Sequence, residues 1–182
     1  MTTTAKKEFP AWIILSIIVL VAAALLAGTN ILTENKITEQ ALAKTDTARR
    51  NAMPEAEEFT RLEVESGAAV DDCYLATAGG ETVGYTSQIT VKGYGGAIEL
   101  IVGVDKDGAI TAISVGGSDF SETAGLGAKV KDEEFTSQFS GLSAPVVLNK
   151  DVDAVSGATI SSRAVTNGVN AAAEYIEAVM AG

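Results

Sequence analysis

The sequence predicts an α+β protein: an N-terminal transmembrane helix followed by an antiparallel sheet packed with helices. Three observations predict it. Residues 11–32 are apolar and carry no charge. Between residues 73 and 115 lie four short apolar runs, punctuated by glycine-rich turns. The last stretch, 159–182, repeats its apolar residues at helical spacing.

The apolar run is long enough to cross a membrane, since some 20 residues at about 1.5 Å each span a hydrocarbon core of about 30 Å. Lys6 and Lys7 precede it, Trp12 stands where an interfacial aromatic belongs, and Glu34, Lys36 and Glu39 follow. The basic bias places residues 1–10 in the cytoplasm and the remainder outside. A cleaved signal peptide shares the basic-then-apolar order. The run is longer than a typical signal core, and Leu25-Leu26-Ala27 keeps it apolar to its end, which favours a retained anchor. Thr29, not Cys, directly follows Leu25-Leu26-Ala27-Gly28, so a lipoprotein anchor is excluded.

Residues 33–58 read as a helical linker. Ile37, Ala41, Ala48 and Ala52 fall at near-helical spacing, Pro54 ends the helix, and the acidic stretch 55–58 leads into the domain of residues 59–182. Runs 73–78 and 82–91 flank Gly79-Gly80, a hairpin pair. In the second run Val83, Tyr85, Ser87, Ile89 and Val91 share one face. Runs 98–104 and 110–115 flank Asp105-Lys106-Asp107-Gly108, a strong turn signal. A further strand is expected at 146–148. Finally Val165, Val169, Ala172, Ala173, Ile176 and Val179 make one continuous helical stripe.

Absences narrow the chemistry. The chain has no His and a single Cys, Cys73. Haem attachment, a thiolate iron–sulfur cluster, a Cys/His zinc site and a Ser–His–Asp triad are therefore excluded within it. Redox work would need an organic cofactor. Cys73, in the apolar stretch Cys73-Tyr74-Leu75-Ala76, reads as a buried small hydrophobe. Setting aside Lys6, Lys7 and Glu8, the chain keeps 11 basic and 23 acidic residues, a net charge of −12. An acidic domain repels nucleic acid and anionic lipid, so no nucleic-acid partner is expected.

The segment Asp153-Ala154-Val155-Ser156-Gly157-Ala158-Thr159 opens the last helix. Small residues allow close backbone approach, hydroxyls can cap free N–H groups, and a helix N-terminus welcomes phosphate. An ordinary capped helix entry would show the same residues. The pattern Asp153-x-x-Ser156-Gly157-Ala158-Thr159 resembles the flavinylation motif of FMN-binding domains, in which the final Thr takes FMN through a phosphoester made from FAD by a flavin transferase. Gly93-Tyr94-Gly95-Gly96-Ala97-Ile98, Val102-Gly103-Val104-Asp105 and Ser121-Glu122-Thr123-Ala124-Gly125-Leu126-Gly127-Ala128 follow in the expected order. Together they resemble the G subunits of Rnf-type electron-transport complexes, related to the C subunits of sodium-translocating NADH:quinone reductases. Ala124 stands where that family usually has Pro, which loosens one glycine-rich loop.

The resemblance implies a covalent FMN on Thr159, with Ser156, Gly157, Ala158, Glu122, Thr123, Gly125, Leu126, Gly127 and Tyr94 around it and Thr123 donating a hydrogen bond. The residues themselves leave other readings open. Gly125 and Gly127 could merely form a turn, Tyr94 could pack in the core, and Lys129, a phosphate candidate, could be solvated. Thr159 would be an attachment point, with no catalytic residue and no metal. The resemblance further implies a relay subunit, inactive alone, of a cell-membrane ferredoxin:NAD oxidoreductase that exports Na⁺ or H⁺. Its partners would be the other membrane subunits and the flavin transferase. Alternatives are a quinone reductase subunit, a standalone extracytoplasmic flavin shuttle, or a non-redox membrane-tethered binding module.

Overall fold

Between Pro10 and Pro54 the chain has no proline and one glycine, so nothing interrupts a helix. A computed structural model describes residues 10–182, and in it α1 runs unbroken over Ala11–Ala52. Lys6 and Lys7 lie outside the described residues. The stretch Trp12–Asn30 has a mean hydropathy of 2.6 and is long and apolar enough to cross a membrane. Trp12, Leu20 and Leu26 are all exposed, and a helix apolar on every side needs an apolar surrounding. The chain divides after Ala43, and Lys44–Gly182 forms the globular unit.

Five antiparallel strands follow in simple meander order: β1 (Glu58–Leu62), β2 (Asp72–Ala78), β3 (Glu81–Lys92), β4 (Ala97–Asp105) and β5 (Ile110–Gly116). Gly79 (φ 58°) and Gly80 (φ 84°) make the two-residue β2–β3 turn, where both residues need positive φ. At the β4–β5 turn the Asp105 carboxylate accepts the N–H groups of Asp107 and Ala109, each at 2.9 Å. After β5 come a 3-10 turn (Gly127–Lys131), the short α2 (Glu133–Thr136), and finally α3 (Thr159–Ala181).

Strand alternation divides the sheet into two faces. On one, Ile89 pairs with Leu100 and Leu100 with Val115, while Ser87 pairs with Val102 and Val102 with Ile113. The predicted helical stripe packs on this face: Val165, Val169, Ala172, Ala173 and Ile176 are buried, with Val179 half-buried. Gly168 sets the separation, since a Cβ there would press on Leu100 and Val91. Cys73 is buried in the same core. Burial, then the neighbouring Asp72, push its thiol up to about 11, so it behaves as a hydrophobe.

The other face takes the end of α1. A Cβ at Gly103 would overlap the Ala52 carbonyl and the Thr111 hydroxyl, and one at Gly84 would overlap Met53. Thr111 Oγ1 donates to the Ala52 carbonyl. Arg49, 5% exposed, lies 3.7 Å from the centre of the Tyr74 ring. Its guanidinium meets Asp46 at 3.0 Å and Asp72 at 3.6 Å.

Two expectations need revision. Strand β1 lies in residues assigned to the linker and domain entry. The segment 146–148 is not a strand; it makes an isolated bridge from Leu148 to Val152, and the Val147 carbonyl accepts the N–H groups of Lys150 at 3.2 Å and Asp151 at 2.9 Å in a local turn. The Asn170 side chain supplies what a neighbouring strand would, accepting the Val146 N–H and donating to its carbonyl, both at 2.8 Å.

A cleft at the N-terminus of the last helix

α3 begins at Thr159 without a side-chain cap. The expectation that motif hydroxyls cap it is not met. The Ser162 hydroxyl instead accepts the Val155 N–H at 3.0 Å and donates to the Ala158 carbonyl at 3.0 Å, which fixes the approach to the helix. Ser162 is also the first residue whose N–H bonds back along the helix, to Ala158 at 2.9 Å. The N–H groups of Thr159, Ile160 and Ser161 are therefore left for a ligand or solvent. Gly157 has φ 77°, a conformation that favours glycine, and a Cβ there would lie 3.1 Å from Leu126 Cδ2.

Leu126 belongs to the second wall. The Thr123 carbonyl accepts the N–H groups of Leu126 and Ala128, each at 3.1 Å, closing the loop tightly. Gly125, at φ 78°, makes the turn. The third wall is the β3–β4 connection. Ser121 Oγ donates to the Gly95 carbonyl at 3.1 Å, and the Gly95 N–H donates to Glu122 Oε1 at 3.0 Å. A long bond of 3.4 Å joins the Tyr94 N–H to Ser161 Oγ. Three segments distant in sequence are thereby laced together.

They enclose a cleft of about 320 Å³ lined by Tyr94, Glu122, Thr123, Leu126, Gly127, Gly157, Ala158, Thr159, Ile160 and Ser161. Eight of the ten residues expected around the cofactor line it. Gly125 and Ser156, both exposed, are not among the lining residues. Tyr94 is 74% exposed, so it is not a core residue. Lys129 is exposed and also stands outside the lining. Ile160 and Ser161 were missed. Ile160, 56% exposed, is a large apolar residue off the buried stripe of α3, and that misfit was visible in the sequence.

Over 91% of this chain and 89% of the relative, the protein is 33% identical to the G subunit of the Na⁺-translocating ferredoxin:NAD⁺ oxidoreductase complex of Acetobacterium woodii. It is 35% identical to the G subunit of the ion-translocating oxidoreductase complex of Methanosarcina acetivorans, over 95% of this chain and 97% of that one. The chain belongs to this family of G subunits. Within the family's shared length, residues 93–174 match the FMN-binding domain. A solved structure of the C subunit of the Na⁺-translocating NADH-quinone reductase from Parabacteroides distasonis shares the fold, with a TM-score of 0.52 and 22% identity over 67% of this chain and 77% of that one.

The residues of the cleft fit FMN. Its volume lies in the range of small-ligand sites. Leu126, Ile160 and Tyr94 are exposed apolar surface able to cover a flat ring. The free N–H groups opening α3 suit a phosphate, and no Lys or Arg lines the cleft to compete with them.

Proposed function

We propose that this protein carries FMN esterified to Thr159 and serves as a fixed electron relay in an ion-translocating ferredoxin:NAD oxidoreductase complex. Thr159 carries the reading: it is exposed, on the cleft wall, and the first residue of an uncapped helix. A flavin transferase would join Thr159 Oγ to the FMN phosphorus of FAD, with AMP leaving and the hydroxyl proton passing to the transferase. No His or Lys lines the cleft to take that proton, and its removal is assigned to the partner enzyme.

The bound group supplies electron exchange, singly or in pairs, while the protein supplies position and electrostatics. Residues 159–161 present N–H groups to the phosphate at the positive end of the α3 dipole. Esterification leaves the phosphate about one negative charge instead of about two, which eases its place in an acidic domain. Tyr94, Leu126 and Ile160 shield the ring from water. Thr123, on the opposite wall, can donate its hydroxyl.

The family's place in ion-translocating complexes and the one helix among the described residues long and apolar enough to cross a membrane support anchoring beside the other subunits. Lys6 and Lys7 ahead of that helix support a cytoplasmic N-terminus and an extracytoplasmic domain. Mass spectrometry of the chain co-expressed with the transferase should find one FMN on the peptide containing Thr159. Thr159→Ala should abolish the fluorescent band in a denaturing gel. An unmodified peptide, or a variant that keeps its band, overturns the assignment.

A further inference from the structure

A buried side-chain oxygen with no partner is costly, and such an atom on a cavity wall points to what the cavity binds. Among the described residues three such atoms occur: Asp72 Oδ1, Thr86 Oγ1 and Glu122 Oε2. Only the last belongs to a residue lining the cleft. Glu122 is 9% exposed. Its Oε1 is held by the Gly95 N–H, while Oε2 faces no Lys or Arg of the cleft.

Space has been cleared for this carboxylate. A Cβ at Gly93 would overlap Oε1, and a Cβ at Gly127 would overlap Oε2. Two glycines on different loops therefore accommodate a side chain whose second oxygen the protein leaves unsatisfied. A carboxylate accepts hydrogen bonds and donates none. It repels a phosphate diester, which is anionic and also lacks a donor. FMN carries two kinds of donor, the ribityl hydroxyls and the ring imide N–H.

We propose that Glu122 Oε2 is the acceptor for an FMN donor group, which gives the cleft two chemically opposite ends. The phosphate is confined to the free N–H groups of α3, and a hydroxyl or imide N–H is required at Glu122. Glu122 thereby fixes the direction in which the flavin enters before any covalent bond forms. The proposal rests on the flavin reading above.

The test uses the full-length chain in detergent with Thr159→Ala, so that flavin binding is reversible. FMN, riboflavin and lumiflavin are titrated against it by fluorescence, alone and with Glu122→Gln, whose amide oxygen can keep the Gly95 N–H bond. Losing a hydrogen bond to a charged group should weaken FMN and riboflavin about tenfold or more. Lumiflavin keeps the imide and lacks the ribityl chain. An equal loss for lumiflavin places the contact at the ring, and no loss places it at the ribityl hydroxyls; either supports the proposal.

The flavin-free Glu122→Gln variant should melt no lower than its parent, because the Gly95 N–H keeps an acceptor while the unsatisfied buried carboxylate oxygen has gone. Weakened binding with an unchanged or higher melting temperature supports the proposal. Unchanged flavin affinity overturns it, and so does a fall in both affinity and melting temperature, which would make Glu122 a structural tie between loops. A parent that binds none of the three flavins, with an unmodified Thr159 peptide in the wild type, overturns the flavin reading itself.

Discussion

The two faces of the sheet solve the same problem by different means. Toward α3, large aliphatic side chains interlock: Leu100, Val102 and Ile98 meet Val165, Val169 and Ile176, all fully buried. Toward the end of α1, side chains are removed so that backbone can approach, with Gly84 and Gly103 receiving Met53 and the Ala52 carbonyl. The first face derives stability from apolar area, which tolerates change of shape but not loss of volume. The second is keyed by contact and by one buried cation, and there the sensitivity runs the other way.

Truncation on the first face should have the largest effect. Leu100→Ala is expected to cost about 3 kcal/mol, by loss of apolar burial and creation of a cavity, read by chemical denaturation of the globular unit. Enlargement on the second face should come next. Gly103→Ala is expected to cost about 2 kcal/mol, since the new methyl meets backbone and not a flexible side chain. If Gly103→Ala is neutral while Leu100→Ala is not, the keyed contact is dispensable and the contrast between faces fails.

The smallest effect is the dependence on pH around Arg49. Burial raises the Asp72 carboxyl above its ordinary 3.8, with Arg49 pulling it back down. An acid raised in the folded state holds its proton longer there than in the unfolded chain. Stability from this group is thus full below the unfolded value and declines as pH rises through the folded one. Asp72→Asn should flatten that decline in melting temperatures measured from acidic pH upward; a profile unchanged from the parent would show that Asp72 does not contribute.

The same contrast explains what could be read in advance. Strands β3, β4 and β5 and helix α3 were legible because the interlocking face writes itself as alternation and as a helical stripe. Strand β1 was not. Glu58–Leu62 offers only Phe59 and Leu62 to the interior, and both are half-buried, as an edge strand allows. Glycine within a strand hints at close approach, yet nothing in Gly84 or Gly103 says that the partner is the end of α1. The segment 146–148 misled because its apolar residues look like a strand, whereas its backbone groups are met by the Asn170 amide, the Asp151 carboxylate and a local turn. At the cleft, Thr159, Gly157 and the 122–127 loop were legible through a motif. The open valence of Glu122 Oε2 depends on Gly93 and Gly127, residues far apart in the chain, and only coordinates bring them together.

Gly168 works as a shim. It lies nine positions after Thr159, about two and a half helical turns at 3.6 residues each, and it lets α3 settle directly onto Leu100 and Val91. Any side chain inserted there would thicken that layer and lift the helix whose first turn forms one wall of the cleft. The geometry of the cleft is thus calibrated from inside the core. A library built to reshape the cleft could vary Tyr94, Leu126 and Ile160 freely while holding residue 168 constant as its reference dimension.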